Sequence, residues 1–452
     1  MIIFWLLLTI IFIILTTAKL KWHPFLVLIL SAFLVALFYQ VPIADVAKII
    51  SDGFGGILGY IGLVIVFGTI IGLILEKTGA AIVMAESVIN LIGKRFPTLT
   101  MSIVGAVVSI PVFCDSGFVI LNSLKESLAK SMKVSSVAMS VALATGLYAT
   151  HTFVPPTPGP IAAAGNLGLE SNLGLVIMVG VVVTFVAVMA GWWWSNRFLN
   201  VEPDNTNSVD AIESILPENQ KTRADYPHMP SASMAFMPII VPIVLICLSS
   251  VANFPTDPLG DSALVDIIIF LGNPLTALLI GLFLSFLLIK GDNKTDRVST
   301  SISEGLVIAA PILLITGAGG AFGAMLKATP IGDYLGTTLS GLGLGIFMPF
   351  IVSAALKTAQ GSTTVALVTT SAMVAPLLSQ IGLDSELGRV FTVMAIGAGA
   401  MTISHANDSF FWIVSQFSRM SVSQAYKAHS VATGIQGVTS IIFIWLLTLV
   451  FL

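Results

Sequence analysis

Charge is scarce in this sequence. Only 10% of its 452 residues are Asp, Glu, Lys or Arg, against about 25% in soluble domains. So few charges over this length do not cover a water-facing surface. Cysteine is nearly missing too. Cys114 and Cys247 are the only two, both in apolar stretches, which excludes a disulfide framework and a cysteine-based zinc site. The basic residues form no patch, and a net charge of −3 gives nucleic acid no footing. There is no His-Glu-x-x-His, and no Ser/His/Asp set stands where the chain's organisation would unite it, so a membrane-embedded enzyme is disfavoured. No basic segment precedes the first apolar run. Lys19 and Lys21 follow it, and no small-residue cleavage site is present. Met1–Ala18 therefore reads as a permanent helix, not a cleaved signal.

What the sequence has is apolar length. Hydrophobic residues make up 56% of it, and mean hydropathy is +0.99. Membrane-length runs recur at Met1–Ala18, Pro24–Tyr39, Gly53–Leu75, Leu173–Trp194, Asp266–Ile289 and Ser430–Leu452, where roughly 20 apolar residues suffice to cross. An all-α polytopic membrane protein is expected. One polar stretch, Arg197 to Ser231, with Pro203, Pro217, Pro227 and Pro230, reads as a linker. It divides the chain into a first membrane repeat (residues 1–196), a cytoplasmic linker (197–231) and a second, inverted repeat (232–452).

With the N-terminus outside, about ten crossings and two re-entrant hairpins place most Lys and Arg in the cytoplasm, as the positive-inside rule asks. Lys48, Lys327, Lys357 and Arg389 fall outside or within the second hairpin. The halves echo each other. Gly72-Leu73-Ile74-Leu75-Glu76-Lys77-Thr78 is matched by Gly323-Ala324-Met325-Leu326-Lys327-Ala328-Thr329. Each half then has an apolar run ending in a small polar cluster, and a helix that stops at a histidine. The first hairpin is flanked by Lys77, Lys94, Arg95, Lys125, Lys130 and Lys133, and the second by Lys327 and Arg389 with Asp333, Asp384 and Glu386. Opposite orientations are expected, and paired broken helices in inverted repeats mark a transporter's binding site.

Polar residues at membrane depth are costly and therefore informative. Four places stand out. In the first, Pro111 ends a helix and Gly117 permits a sharp turn in Cys114-Asp115-Ser116-Gly117. The helix Phe118–Ala129 would then offer free N–H groups to an anion. Asp115 is a candidate proton-binding carboxylate, since a carboxylate removed from water holds a proton more readily; its plainer role is to cap the next helix. The second place is Gln360-Gly361-Ser362-Thr363-Thr364, whose hydroxyls and N–H groups suit an oxyanion or polyol, or merely pack helices. The third follows His151-Thr152, where four prolines lie within residues 155–160 and read as a broken helix. The fourth is Ser404-His405-Ala406-Asn407-Asp408-Ser409. There His405 and Asp408 either exchange a proton or pair to hold the break together. The candidate substrate-binding residues are thus Ser116, Gly117, His151, Thr152, Gly361, Ser362, Thr363 and Asn407. The candidate proton-coupling residues are Asp115, His405 and Asp408. No metal site is expected.

At these places the chain resembles the gluconate permease family, within the larger ion transporter superfamily. The resemblance runs nearly end to end. It rests on Lys21-Trp22-His23-Pro24-Phe25, Thr316-Gly317-Ala318-Gly319-Gly320-Ala321-Phe322-Gly323, Gly361-Ser362-Thr363-Thr364-Val365-Ala366 and Ser404-His405-Ala406-Asn407-Asp408-Ser409-Phe410-Phe411-Trp412. It implies proton symport of gluconate or related small sugar-acid anions across a bacterial inner membrane, with D-serine as a variant substrate. It also implies a homodimer, each protomer with a dimerising scaffold domain and a transport domain carrying both hairpins. Two positions depart from the family pattern: Thr157, where many members have His, and Asp115, where many gluconate carriers have Glu. A shorter or differently oxidised sugar acid is therefore open. No cofactor is expected, and no macromolecular partner beyond lipid and a second copy. The nearest competing reading is a sodium-coupled carboxylate carrier; a channel would not need two broken hairpins.

Overall fold

The computed structural model describes residues 2–16, 20, 22–93, 95–204, 226, 229–252, 260, 262–291, 293–330, 344–406 and 408–452. Asn407 and most of the linker lie outside these. The described residues contain helices and no strand.

The first half comprises α1 (Ile2–Ile14), α2 (Pro24–Phe38), α3 (Ile43–Lys77), α4 (Ala80–Ile92), α5 (Pro97–Val108), α6 (Cys114–Met132), α7 (Ser136–Phe153), α8 (Pro158–Asn166) and α9 (Leu173–Ser195). The second comprises α10 (Ala232–Ala252), α11 (Ala263–Gly272), α12 (Pro274–Phe286), α13 (Lys294–Lys327), α14 (Phe347–Gln360), α15 (Thr363–Val374), α16 (Glu386–Met401), α17 (Ser409–Phe417), the short α18 (Val422–Ala425) and α19 (Val431–Phe451), with a π-helical turn at Tyr426–Ser430.

The order repeats. Long α3, hairpin α5–α6, broken pair α7–α8 and α9 correspond to long α13, hairpin α14–α15, broken pair α16–α17 and α19. Equivalent contacts recur: α3 lies along α13, α5 seats on α7 and α14 on α16. Glycine permits both seatings. A Cβ at Gly146 would stand 2.0 Å from the Ser102 carbonyl, and one at Gly399 2.4 Å from that of Phe350. The second arms cross over, α6 packing against α17 and α15 against α8. Each hairpin therefore meets a half-helix from the other half of the chain.

Five helical stretches among the described residues are long and apolar enough to cross a membrane, seven if bent pairs count as one span each. The run Asp266–Ile289 is not one straight helix. α11 and α12 meet at 67°, because Pro274 opens α12 and the Asn273 side chain accepts a hydrogen bond from Leu275 N at 3.0 Å. The burial pattern is inverted relative to a soluble protein. Leu37, Ile43, Phe185, Leu264, Phe283, Val307 and Val450 face outward, while Ser140, Thr145 and Gln436 are buried. Gln436 Nε2 donates to the carbonyls of Thr145 and Ala187, both at 3.0 Å. This is a multi-pass membrane protein, in which buried side chains such as Gln436 donate to backbone carbonyls of neighbouring helices.

The span α7–α8 separates two ends. At one, Ser135 N donates to Leu199 O, and Asp204 accepts from Ser421 N (2.7 Å) and Ser421 Oγ (2.6 Å). A cavity of about 710 Å³ opens there, lined in part by Lys130, Lys133 and Arg419 with Glu126 and Glu202. At the other end Arg389 reaches Leu167 O and pairs with Asp384 at 2.7 Å.

Candidate substrate cavity

Both hairpin tips and both helix breaks converge on one cavity of about 270 Å³. Phe113, Cys114 and Asp115 reach it from the first tip, and Gly361, Ser362, Thr363 and Thr364 from the second. Tyr148 and His151 come from the end of α7, and Asp408, Ser409 and Phe410 from the start of α17.

Local sequence explains each approach. Pro111 stops α5, and α6 begins at Cys114, earlier than the Phe118 start that the sequence suggests; Gly117 N closes its first turn on Phe113 O at 2.8 Å. Gly117 is thus helical. Its missing side chain admits Leu147, whose Cδ2 would lie 2.7 Å from a Cβ there. Asp115 does not cap α6. It faces the cavity and accepts from Ser409 Oγ at 3.3 Å. At the second tip Gly361 takes the left-handed conformation (φ 87°), and Ser362 caps α15 by accepting from Val365 N. Three helix N-termini, those of α6, α15 and α17, therefore open on the cavity, and their dipoles favour an anion.

After Phe153 the four-proline stretch ends α7. The Thr157 hydroxyl donates back to the carbonyls of Val154 (2.7 Å) and His151 (3.1 Å), so it serves the break and does not face the cavity. The second break is held by hydroxyls from the π-turn and α19. Ser404 N donates to Thr433 Oγ1 at 2.9 Å, and Ser430 Oγ donates to Ser404 O.

Of the residues singled out from sequence, Asp115, His151, Gly361, Ser362, Thr363 and Asp408 line the cavity. Ser116 and Gly117 do not, being turned away within α6. Thr152 bonds its own helix at Tyr148 O and Ala149 O. His405 does not meet the Asp408 side chain; its Nε2 lies 2.9 Å from Thr358 O. Asn407 is outside the described residues. His151 is buried, and its Nδ1 has no partner among the described residues.

Sequence reasoning missed two contributors. Lys357, in the last turn of α14, is fully buried; its Nζ donates to Gly361 O at 2.5 Å and Asp408 Oδ2 at 2.6 Å. A lysine one turn from a tip in an apolar arm was a legible signal, but the positive-inside count absorbed it. Tyr148 shares a 2.6 Å hydrogen bond with Thr363 Oγ1, tying the first half's broken helix to the second hairpin. A lone tyrosine in an apolar helix carries no such signal. Asp408 is further held by Ser404 Oγ (2.5 Å), which contacts His429 Nε2 (3.2 Å).

The family model described as GntP family permease matches residues 1–450. A gluconate permease of Pseudomonas aeruginosa is 33% identical over 98% of this chain and 97% of its own length. The D-serine transporter DsdX of Escherichia coli (strain K12) is 32% identical over 98% of each. Among solved structures, the YdaH transporter of Alcanivorax borkumensis superposes with a TM-score of 0.65 at 14% identity, covering 94% of this chain and 98% of that one. MtrF of Neisseria gonorrhoeae gives 0.65 at 15%, covering 95% and 96%.

Proposed function

The chain belongs to the GntP family of permeases, and on that footing we propose that it carries a small sugar-acid anion, gluconate or a near relative, into the cell together with a proton. The cavity between the two tips carries this reading. Three helix N-termini and the Ser362, Thr363 and Thr364 hydroxyls offer donors to a carboxylate and a polyol, and unpartnered His151 Nδ1 adds a site for a hydroxyl. Charge supplies the coupling. Asp115, Asp408 and Lys357 together leave the cavity one negative charge in excess. An entering anion raises that excess in a poorly solvated space unless a proton enters with it. Among the described residues the Asp115 carboxylate meets the Ser409 hydroxyl and the Cys114 thiol and is in contact with no cation, which makes it the proton's natural seat.

The inner membrane, an external N-terminus, opposed hairpins and a dimer belong to the same proposal. The experiment is uptake of labelled gluconate by proteoliposomes under an inside-alkaline pH gradient in choline medium. Accumulation is expected, with collapse on adding a protonophore and no response to sodium. Accumulation that follows sodium at fixed pH overturns proton coupling. A second reading, a zwitterionic amino acid such as D-serine, is favoured by one observation: the Asp115 carboxylate faces the cavity, where it would pair with an ammonium. Competition between D-serine and gluconate in the same vesicles separates the two.

A further inference from the structure

Lys357 is the only cation in contact with the cavity wall among the described residues, and its surroundings are unequal on its two sides. Its ammonium has two acceptors, the Gly361 carbonyl and Asp408 Oδ2, and lies 5.8 Å from the Tyr148 ring centre. Without Asp408 it would be a buried cation with no anion, which is costly. Asp408 is better supplied. Without Lys357 it keeps Ser404 Oγ on Oδ2 and the Phe410 amide on Oδ1 at 3.1 Å. The cation thus needs a carboxylate, while this carboxylate has other partners.

We propose that Lys357 is the anchor for the substrate's carboxylate and that Asp408 is an internal competitor for it. The proposal rests on the preceding reading in requiring a carboxylate substrate, and its charge balance takes up the same proton. When the substrate's carboxylate takes the ammonium, Asp408 stays on Ser404 and Phe410 N, and the incoming proton goes to Asp115. One ammonium, one substrate carboxylate and one remaining ionised aspartate restore the starting charge. The groups facing Asp408 are Lys357 from α14, Cys114 and Asp115 from α6, Tyr148 and His151 from α7, and His429 from the π-turn. Lys357 is the only basic group among them besides the two histidines, and Asp115 is the only other carboxylate.

The test measures binding of labelled gluconate and labelled D-serine to the purified full chain at pH 6 and pH 8. Asp408→Asn keeps an oxygen for Ser404 and a capping side chain for α17, and removes only the competing charge. It is expected to bind at pH 8 at least ~10-fold more tightly than the unsubstituted chain, because the site is no longer occupied by its own aspartate. Lys357→Gln is expected to lose ~100-fold or more. The double variant, Lys357→Gln with Asp408→Asn, leaves neither charge of the pair without its partner. It is expected to purify as a monodisperse protein and bind as poorly as Lys357→Gln alone. A merely structural ion pair gives the opposite pattern: Asp408→Asn weakens binding, and the double variant recovers to within about threefold of the unsubstituted chain. That result overturns the proposal, and the double variant decides it even if Asp408→Asn does not fold. Binding of D-serine in place of gluconate changes the substrate and leaves the anchor standing. Binding of neither by the unsubstituted chain overturns the carboxylate reading, and the anchor with it.

Discussion

Asp115 and Asp408 are both carboxylates on the same cavity, yet their partners set them apart. Asp408 is engaged by a lysine, a serine and a backbone amide, whereas Asp115 has the Ser409 hydroxyl and the neighbouring Cys114 thiol. The first arrangement fixes a charge; the second leaves a group free to change its own. Asp115→Asn is therefore expected to reduce the accumulation ratio to about one while solute exchange persists, since the coupling between proton and anion is lost and not the site itself. Counterflow of labelled gluconate in the variant, beside uptake driven by a pH gradient, checks this. Wild-type accumulation by Asp115→Asn would reject the role. The carboxylate was legible from sequence because nothing around it in Ile110–Phe118 is charged. Lys357 also stands out in its apolar arm, but its pairing with Asp408 was not legible, because the two lie 51 residues apart across a helix break, and sequence spacing does not measure that closure.

Hairpins α5–α6 and α14–α15 stand on their broken helices by contacts in which backbone meets backbone. At Gly399 even a methyl group would be 2.4 Å from Phe350 O, while at Gly55 in α3 a Cβ would meet nothing within 4 Å. Gly399→Ala is expected to cost about 1–3 kcal/mol or more through overpacking, and Gly55→Ala to be neutral or slightly stabilising. Thermal denaturation of the two variants in detergent compares them directly, and equal midpoints would mean that the seating of α14 on α16 is slack. Helix breaks were readable from sequence wherever proline or glycine interrupted an apolar run, as at Pro155–Pro160 and Gly361. Element ends were less so. α6 starts at Cys114 because its amide ladder closes on Phe113, a hydrogen bond no side chain announces. The bend between α11 and α12 did have a signal, Asn273-Pro274, but hydropathy summed over the run conceals a break whose flanks are equally apolar.

Across the whole molecule, residues meeting at each end of the span α7–α8 come from both halves of the chain. Asp204 and Ser421 meet at one end, Leu167 and Arg389 at the other. The end carrying Lys130, Lys133 and Arg419 is expected to face the cytoplasm. Single cysteines placed at Asp204 and Asp384, in a chain lacking Cys114 and Cys247, report this. A membrane-impermeant thiol reagent added to intact cells is expected to label the Asp384 position alone, and labelling at Asp204 alone would reverse the orientation. The charge balance around Lys357 has an energetic consequence at this scale. If each carboxylate enters with one proton, the loaded and empty cavities carry the same charge and the complete cycle moves none, so the membrane voltage, worth about 2.3 kcal/mol per charge per 100 mV, does no net work on it. Concentration of the solute is then limited by acidity alone, to about tenfold per pH unit across the membrane. A potassium diffusion potential set with valinomycin is expected to leave uptake unchanged at equal pH on both sides. Uptake that rises with internal negativity would mean that a second proton travels. A carrier so balanced feeds well in acid surroundings and runs down as the medium turns alkaline, however strongly the cell is energised.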